Sequence, residues 1–226
     1  MLLAANKAFN LTAIRDPDEA WSRHVLDSLS LLGVLAEIEA PEGGSLRVID
    51  VGTGGGLPGI PIAMARPDIT MTLLDATAKK CTFLDHVARE LGLTNVEVVC
   101  ARAEAAGQDR GERTGTGRVG AHRDSYDLVV ARAVGKLATL SELTIPFARV
   151  GGLIALIKGE KAGEELEEAK GALHLLHTAH AGTIQTPTGR IVVLEKQRQT
   201  PKSYPRRDGE PKRAPLGVSE SGSSKK

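Results

Sequence analysis

The sequence predicts a doubly wound α/β sheet, and three observations predict it. Short apolar runs with strand character alternate with longer stretches of helical period, the pattern of parallel strands joined by crossover helices. A glycine cluster, Gly52-Thr53-Gly54-Gly55-Gly56, stands between the first of those runs and a helix. Near the end, Thr186-Pro187-Thr188-Gly189 separates two strand-like runs with no helix between them, which reads as a hairpin. The expected sheet has seven strands, mostly parallel, closed by an antiparallel hairpin.

The elements follow in order. Residues 1–14 read as the end of a helix. Asp16-Pro17-Asp18-Glu19 starts the next helix, with Asp16 as N-cap, Pro17 in the first turn and Glu19 at the capping-box position. Val25, Leu29, Leu32 and Leu35 then recur at helical spacing as far as Ile38. A loop from Pro41 to Ser45 leads to a strand at Leu46–Val51. Further strands are expected at Ile69–Leu74, ending at Asp75, and at Val96–Val99, Tyr126–Ala131 and Leu153–Ile157. The hairpin strands are His180–Gln185 and Arg190–Glu195. Helices are expected at Pro58–Arg66, Ala78–Leu91 (closed by Gly92), Leu137–Ala148 and Glu164–Leu176, the last with an acidic start that suits its dipole. Residues 105–124 hold five glycines, many charges and no periodicity, and read as a mobile insertion.

Composition narrows the function. The chain has 226 residues, 41% hydrophobic and only 3% aromatic, enough for a core of Leu, Ile, Val and Ala but not for a disordered chain. No apolar run approaches the roughly 18 residues of a membrane span, so no membrane association is expected. Two cysteines, Cys81 and Cys100, exclude a disulfide-stapled fold and read as buried thiols in a reduced compartment. The net charge of +1 hides an asymmetry. Residues 198–226 carry eight basic and three acidic side chains, while the rest of the chain is net negative. A basic tail suits a polyanionic partner.

The glycine cluster suggests a ligand. In open α/β sheets ligands bind beyond the carboxyl ends of the strands, where glycines let the backbone come close. Asp75, about 25 residues on, ends the second strand, where a carboxylate accepts from both hydroxyls of a ribose. The dinucleotide fingerprint fails in register, because Leu57 stands where its third glycine belongs, and no Gly-Lys-Ser/Thr ending marks a phosphate loop. Asp50, just before the glycines, suits a cationic ligand. S-adenosylmethionine carries a sulfonium and an ammonium, and the acid-x-Gly-x-Gly-x-Gly pattern resembles motif I of Rossmann-like class I methyltransferases.

Longer stretches carry a more specific resemblance. They are Asn6–Thr12, Arg23-His24-Val25-Leu26-Asp27-Ser28, Asp50–Pro61, Leu73-Leu74-Asp75 with Lys79-Lys80, Arg102-Ala103-Glu104, Ala131-Arg132-Ala133, Lys158-Gly159, and Thr200–Arg207 with Pro215-Leu216. Together they resemble the RsmG family, also called glucose-inhibited division protein B, whose members methylate guanine N7 in the small-subunit (16S) ribosomal RNA. The family begins with a further helical segment, so the N-terminal helical cap, 1–40, is expected to be incomplete. The methyltransferase domain is expected at 41–197 and a basic extended tail at 198–226.

The resemblance implies S-adenosylmethionine as cofactor, with contacts at Gly52, Leu57, Ala103, Glu104 and Arg132; the residue chemistry adds Gly54 and Asp75. It implies small-subunit ribosomal RNA as partner. Guanine N7 is a bare lone pair, so no general base is required, and Arg132 and Lys158 are candidates for positioning the substrate. Lys202, Tyr204, Arg206, Arg207, Lys212 and Arg213 are expected to track RNA, with Tyr204 offering a stacking face. The chain is expected to act as a monomer in the cytoplasm, or in a plastid or other organelle stroma if its source is eukaryotic. His174, His177 and His180 are spaced by three, but no Cys or carboxylate completes a metal set, and no metal is expected. The competing readings are a dinucleotide-dependent oxidoreductase and an inactive RNA-binding protein that keeps the fold.

Overall fold

The computed structural model describes all residues except 1, 4–5, 7–10, 12–13, 115–116, 133–134 and 218–226; the side chains of 113–119 are also left undescribed. The expected helix end at 1–14 therefore lies largely outside the described residues.

A seven-stranded sheet forms the centre, in the order β3-β2-β1-β6-β7-β9-β8. Its strands are β1 (Arg47–Val51), β2 (Thr70–Asp75), β3 (Val96–Cys100), β6 (Tyr126–Arg132), β7 (Ala148–Lys158), β8 (Thr178–Thr186) and β9 (Gly189–Lys196). All neighbours pair in parallel except β9, which runs antiparallel to both β7 and β8. The strand order reverses at β1, between β2 and β6. That reversal opens a crevice at the carboxyl edge.

Both faces of the sheet are covered, so inward and outward residues are equally apolar. Ile49, Val51, Val129, Ala131, Ile154, Leu156, Val192 and Leu194 pack into one core. Their alternating neighbours Val48, Leu128, Val130, Ala155, Ile157, Ile191 and Val193 pack into the other. Period-two alternation thus feeds two cores from the same strands. The first core lies under α6 (Leu137–Thr144) and α7 (Ala162–Leu175). The second is covered by α3 (Gly59–Ala65), α4 (Ala78–Glu90) and residues from α2 (Leu32–Ala36).

The first helical run departs from the expected single helix. Asp16 does cap it, accepting from the Glu19 amide at 2.8 Å. Glu19 pairs with Arg23 instead of reaching back to the cap. The run α1 is α-helical at Pro17–Ala20, π-helical at Trp21–Leu26 and α-helical again at Asp27–Leu29, and it breaks before α2. The helix expected to reach Ala148 ends at Thr144, where a 3₁₀ turn at Ile145–Phe147 leads directly into β7. Pro146 has no amide to extend the helix.

The insertion is not featureless. The end of α5 (Ala103–Ala106) runs into it, and it contains a small antiparallel hairpin of β4 (Glu112–Thr114) and β5 (Gly117–Val119). It ends in Arg123, only 3% exposed, whose guanidinium donates to the carbonyls of Gly107, Thr200, Pro201 and Tyr204 at 2.7–3.2 Å.

Those bonds also correct the picture of an extended tail. Residues 198–217 fold back as a strap over the first core, with a short helix α8 (Glu210–Arg213) and Leu216 buried in the core. Arg206 grips Glu142, a fully buried carboxylate on α6, at 2.6 Å, and donates to the Ala214 carbonyl at 2.7 Å. A buried carboxylate requires such a partner.

Candidate active site: the glycine turn and two cavities

The glycine turn rises from the end of β1. The amides of Gly52 and Thr53 both donate to the Leu74 carbonyl on β2, at 2.8 and 3.0 Å. Gly52 and Gly54 sit at φ +73° and +59°, a region that side chains resist. Among the described residues, a Cβ on Gly52 would meet nothing within 4 Å, and one on Gly54 only the Gly52 carbonyl at 3.9 Å. Both positions open outward, leaving bare backbone at the switch point.

Asp50 has a different role from the expected one. It is fully buried, and its Oδ2 accepts from the Thr53 hydroxyl at 2.6 Å and the Gly59 amide at 2.8 Å. It braces the turn from below and does not face a ligand. Burial pushes its pKa up to about 7, against the pull of those two hydrogen bonds and of Arg132.

Two cavities meet at Gly52. One, about 700 Å³, is lined by Gly52, Asp75, Ala103, Glu104, Lys136 and Lys212 among others. Asp75 is 6% exposed; its carboxylate accepts from the Gly54 amide at 3.0 Å and the Thr77 amide at 2.9 Å, with Lys80 at 3.5 Å. It therefore ties the turn to β2 as well as facing the cavity. Glu104 on α5 accepts from the Gly209 amide at 3.1 Å, so the strap forms the far wall.

The other cavity, about 490 Å³, is lined by Gly52, Gly54, Leu57, His24, Asp27, Arg132, Lys158 and Thr188 among others. Arg132, at the end of β6, donates to the Arg23 carbonyl at 2.8 Å and to His24 Nδ1. The arginine can only donate, so Nδ1 is the acceptor and the ring is neutral there. Burial and the adjacent guanidinium both lower the His24 pKa, in keeping with that state. The π-helical stretch of α1 supplies both acceptors.

Lys158, the other candidate for positioning the substrate, is not a free side chain. It is 7% exposed, and its ammonium is held by Glu165 at 2.8 Å and the Gly135 carbonyl at 2.5 Å. Glu165 also accepts from the Leu137 amide at 2.9 Å, so the pair fastens the start of α6 to the end of β7.

The structure brings Asp75, Ala103 and Glu104 to one side of the turn and Gly54, Leu57, Arg132 and Lys158 to the other, with Gly52 lining both. Lys202, Arg207, Lys212 and Arg213 are exposed, Arg206 is held by Glu142, and Tyr204 is half-buried against the first core. Arg206 and the Tyr204 ring are thus engaged within the protein, which corrects their reading as free RNA contacts. Of the cysteines, Cys81 is buried, with its thiol pushed up to about 12 by that burial, whereas Cys100 is exposed. His177 bonds the Gln199 carbonyl and His180 the Thr183 hydroxyl; the three histidines share no centre. Sequence reasoning missed Arg123, Glu142 and Thr188, whose partners lie far along the chain.

The chain as a whole is similar to known proteins. The family model of GidB, rRNA small subunit methyltransferase G, matches residues 1–189. This chain belongs to that family. A relative from Sorangium cellulosum, named ribosomal RNA small subunit methyltransferase G, is 49% identical over 206 residues, covering 91% of this chain and 80% of its own. One of the same name from Streptococcus pyogenes is 38% identical over 223 residues, covering 96% and 87%. Among solved structures, a SAM-dependent methyltransferase from Aquifex aeolicus matches with TM-score 0.56 at 17% identity, covering 83% of this chain and 97% of its own. A putative S-adenosyl-L-methionine-dependent methyltransferase from Methanococcus maripaludis matches with TM-score 0.57 at 14% identity, covering 80% and 91%. These two establish the fold. The family makes this chain an S-adenosylmethionine-dependent rRNA methyltransferase. The outward-open glycines and Asp75 fit that cofactor. No helix among the described residues is long and apolar enough to cross a membrane.

Proposed function

We propose that this protein methylates N7 of a guanine in small-subunit ribosomal RNA, acting as a monomer in the cytoplasm. The observation that carries the reading is the bare Gly52–Gly54 backbone standing between the Asp75 cavity and the Arg132 cavity. When bound, S-adenosylmethionine supplies an electrophilic methyl group on a sulfonium.

In this reading Asp75 accepts the ribose hydroxyls, while Ala103 and Glu104 border the adenine. Gly52 and Gly54 admit the cofactor backbone, and Leu57 and Arg132 border its amino-acid end. Guanine N7 carries a lone pair and no proton, so the protein need only align it with the methyl carbon. The site is consistent with that economy: His24 is committed to Arg132, and Lys158 to Glu165. Lys158 then acts as a positioning residue, through the loop it fastens at Gly135.

Lys202, Arg207, Lys212 and Arg213 are the exposed basic residues proposed to meet phosphates. If all four do, replacing them with glutamine flattens the slope of log affinity against log salt by about 3, at roughly 0.7 per contact for single-stranded RNA. An unchanged slope removes the strap from the RNA interface. The function itself is tested by incubating isolated small subunits with the protein and methyl-labelled S-adenosylmethionine, then mapping the label by mass spectrometry. The expected product is one N7-methylguanosine; label on another atom, or none, contradicts the reading.

A further inference from the structure

The cavity beyond Gly52 ends in a corner formed by Asp27, His24, Arg132 and Thr188. Asp27 is a carboxylate only 6% exposed. The Thr188 hydroxyl donates to its Oδ1, while Oδ2 accepts no hydrogen bond among the described residues. The nearby cation, Arg132, is spent on the Arg23 carbonyl and His24. Oδ2 is not sealed in the core, so it stands as an acceptor open to the cavity.

The corner depends on a close backbone approach. A Cβ on Gly189 would lie 2.3 Å from the Lys158 carbonyl oxygen, so only glycine lets the β8–β9 turn close over the end of β7. That approach brings Thr188 against Asp27, a residue 161 positions away. Strand order separates the corner from the cofactor's adenosine end. Asp75 and Glu104 follow β2 and β3, on one side of β1, whereas Arg132, Lys158 and Thr188 follow β6, β7 and β8 on the other. A cofactor seated with its ribose at Asp75 and its amino-acid end at Leu57 and Arg132 leaves the Asp27–Thr188 end of this cavity for the methyl acceptor.

We propose that this corner receives the target guanine and that Asp27 reads its Watson–Crick edge, an inference that rests on the rRNA guanine reading above. Guanine presents two donors there, N1–H and the N2 amino group, and one carboxylate accepts both. Adenine presents a lone pair at N1 and no amino group at C2, so it sets lone pair against carboxylate. With that edge bound, N7 on the opposite edge remains free for the methyl carbon. The target must also be unpaired, because cytosine would occupy the same two donors.

The test uses a small-subunit rRNA fragment carrying either guanosine or inosine at the methylated position, with that position first mapped for the wild-type protein. Inosine keeps N1–H and N7 but lacks the N2 amino group. The wild type should methylate inosine with kcat/KM about tenfold lower, the loss of one hydrogen bond to a charged acceptor. Asp27→Asn should lower kcat/KM for guanosine about a hundredfold and bring the guanosine-to-inosine ratio close to one, with unchanged S-adenosylmethionine affinity. Equal methylation of guanosine and inosine by the wild type overturns the inference without any variant. A fall in cofactor affinity in Asp27→Asn overturns it too, and assigns the carboxylate to the cofactor's ammonium. If the wild type methylates neither RNA, the function itself fails and the inference falls with it.

Discussion

The glycine turn and the C-terminal strap line the same cavity, yet they are built in opposite ways. The turn is local: its bends come from glycines at positive φ, and its braces, Asp50 and Asp75, lie within about two dozen residues. The strap is held from far away, by Arg123 reaching carbonyls 77 to 81 positions on and by Glu142 gripping Arg206 across 64. One wall of the cavity is encoded by backbone conformation, the other by buried charge. Damage to the first should remove ligand binding and spare the fold. Damage to the second should act on the fold.

Gly54→Val is the sharpest way to break the contrast. Its side chain projects into the cavity from a φ that β-branched residues resist, and it touches no core. S-adenosylmethionine binding should be abolished in calorimetry while the circular dichroism spectrum remains native. A variant that binds normally would reduce the glycines to a mere turn.

Arg206→Ala tests the other side. It leaves the buried Glu142 carboxylate without its ion-pair partner, although the Arg206 amide still donates to it at 2.8 Å. Breaking such a pair costs about 3 kcal/mol. For a chain of this size the thermal midpoint should fall by roughly 6–12 °C. An unmoved midpoint means the strap is not anchored there.

Asp75 stands between the two cases, since it faces the cavity and also ties Gly54 to β2. Asp75→Ala should weaken cofactor binding about ten- to a hundredfold through loss of charge-assisted hydrogen bonds. It should also lower stability by about 1–3 kcal/mol, since the Gly54 and Thr77 amides lose their acceptor. Full cofactor affinity in this variant would remove Asp75 from the ribose site.

Asp50 gives a smaller, pH-dependent effect. Its folded-state pKa, near 7, lies above the ordinary value of 3.8. The folded protein therefore keeps a proton that the unfolded chain has released, and stability falls as pH rises through that window. Melting wild type and Asp50→Asn at pH 5 and pH 8 checks the sign. The wild-type midpoint should drop relative to the variant at the higher pH; a relative rise contradicts the burial argument.

The same contrast explains what the sequence made legible. The strands β1, β2 and β6 and the glycine turn stand out because short-range signals specify them: apolar runs between turn residues, and glycines at a strand end. The Asp16 cap is equally local. The strap does not stand out, because nothing near Arg206 in the sequence announces its partner, the buried Glu142 on α6. The proline-rich, basic stretch from Thr200 onward reads as solvated for the same reason, although Pro211 and Leu216 are buried. Lys158 stands out for its place at a strand end, yet spacing alone cannot reveal the Glu165 carboxylate that occupies it. Asp50 resembled a ligand contact because acid-x-Gly patterns do not show which way the carboxylate turns. The amide of Gly59 turns it inward.

In the proposed function, one cofactor spans the two cavities across Gly52, with its ribose at Asp75 and its sulfur toward Arg132. The most direct measurement is a crystal structure of the protein with S-adenosylhomocysteine bound. Both ribose hydroxyls should lie within hydrogen-bond distance of the Asp75 carboxylate, the adenine beside Ala103 and Glu104, and the thioether at the mouth of the Asp27–Arg132 cavity. A ribose bound away from Asp75, or a thioether facing the strap, would contradict it.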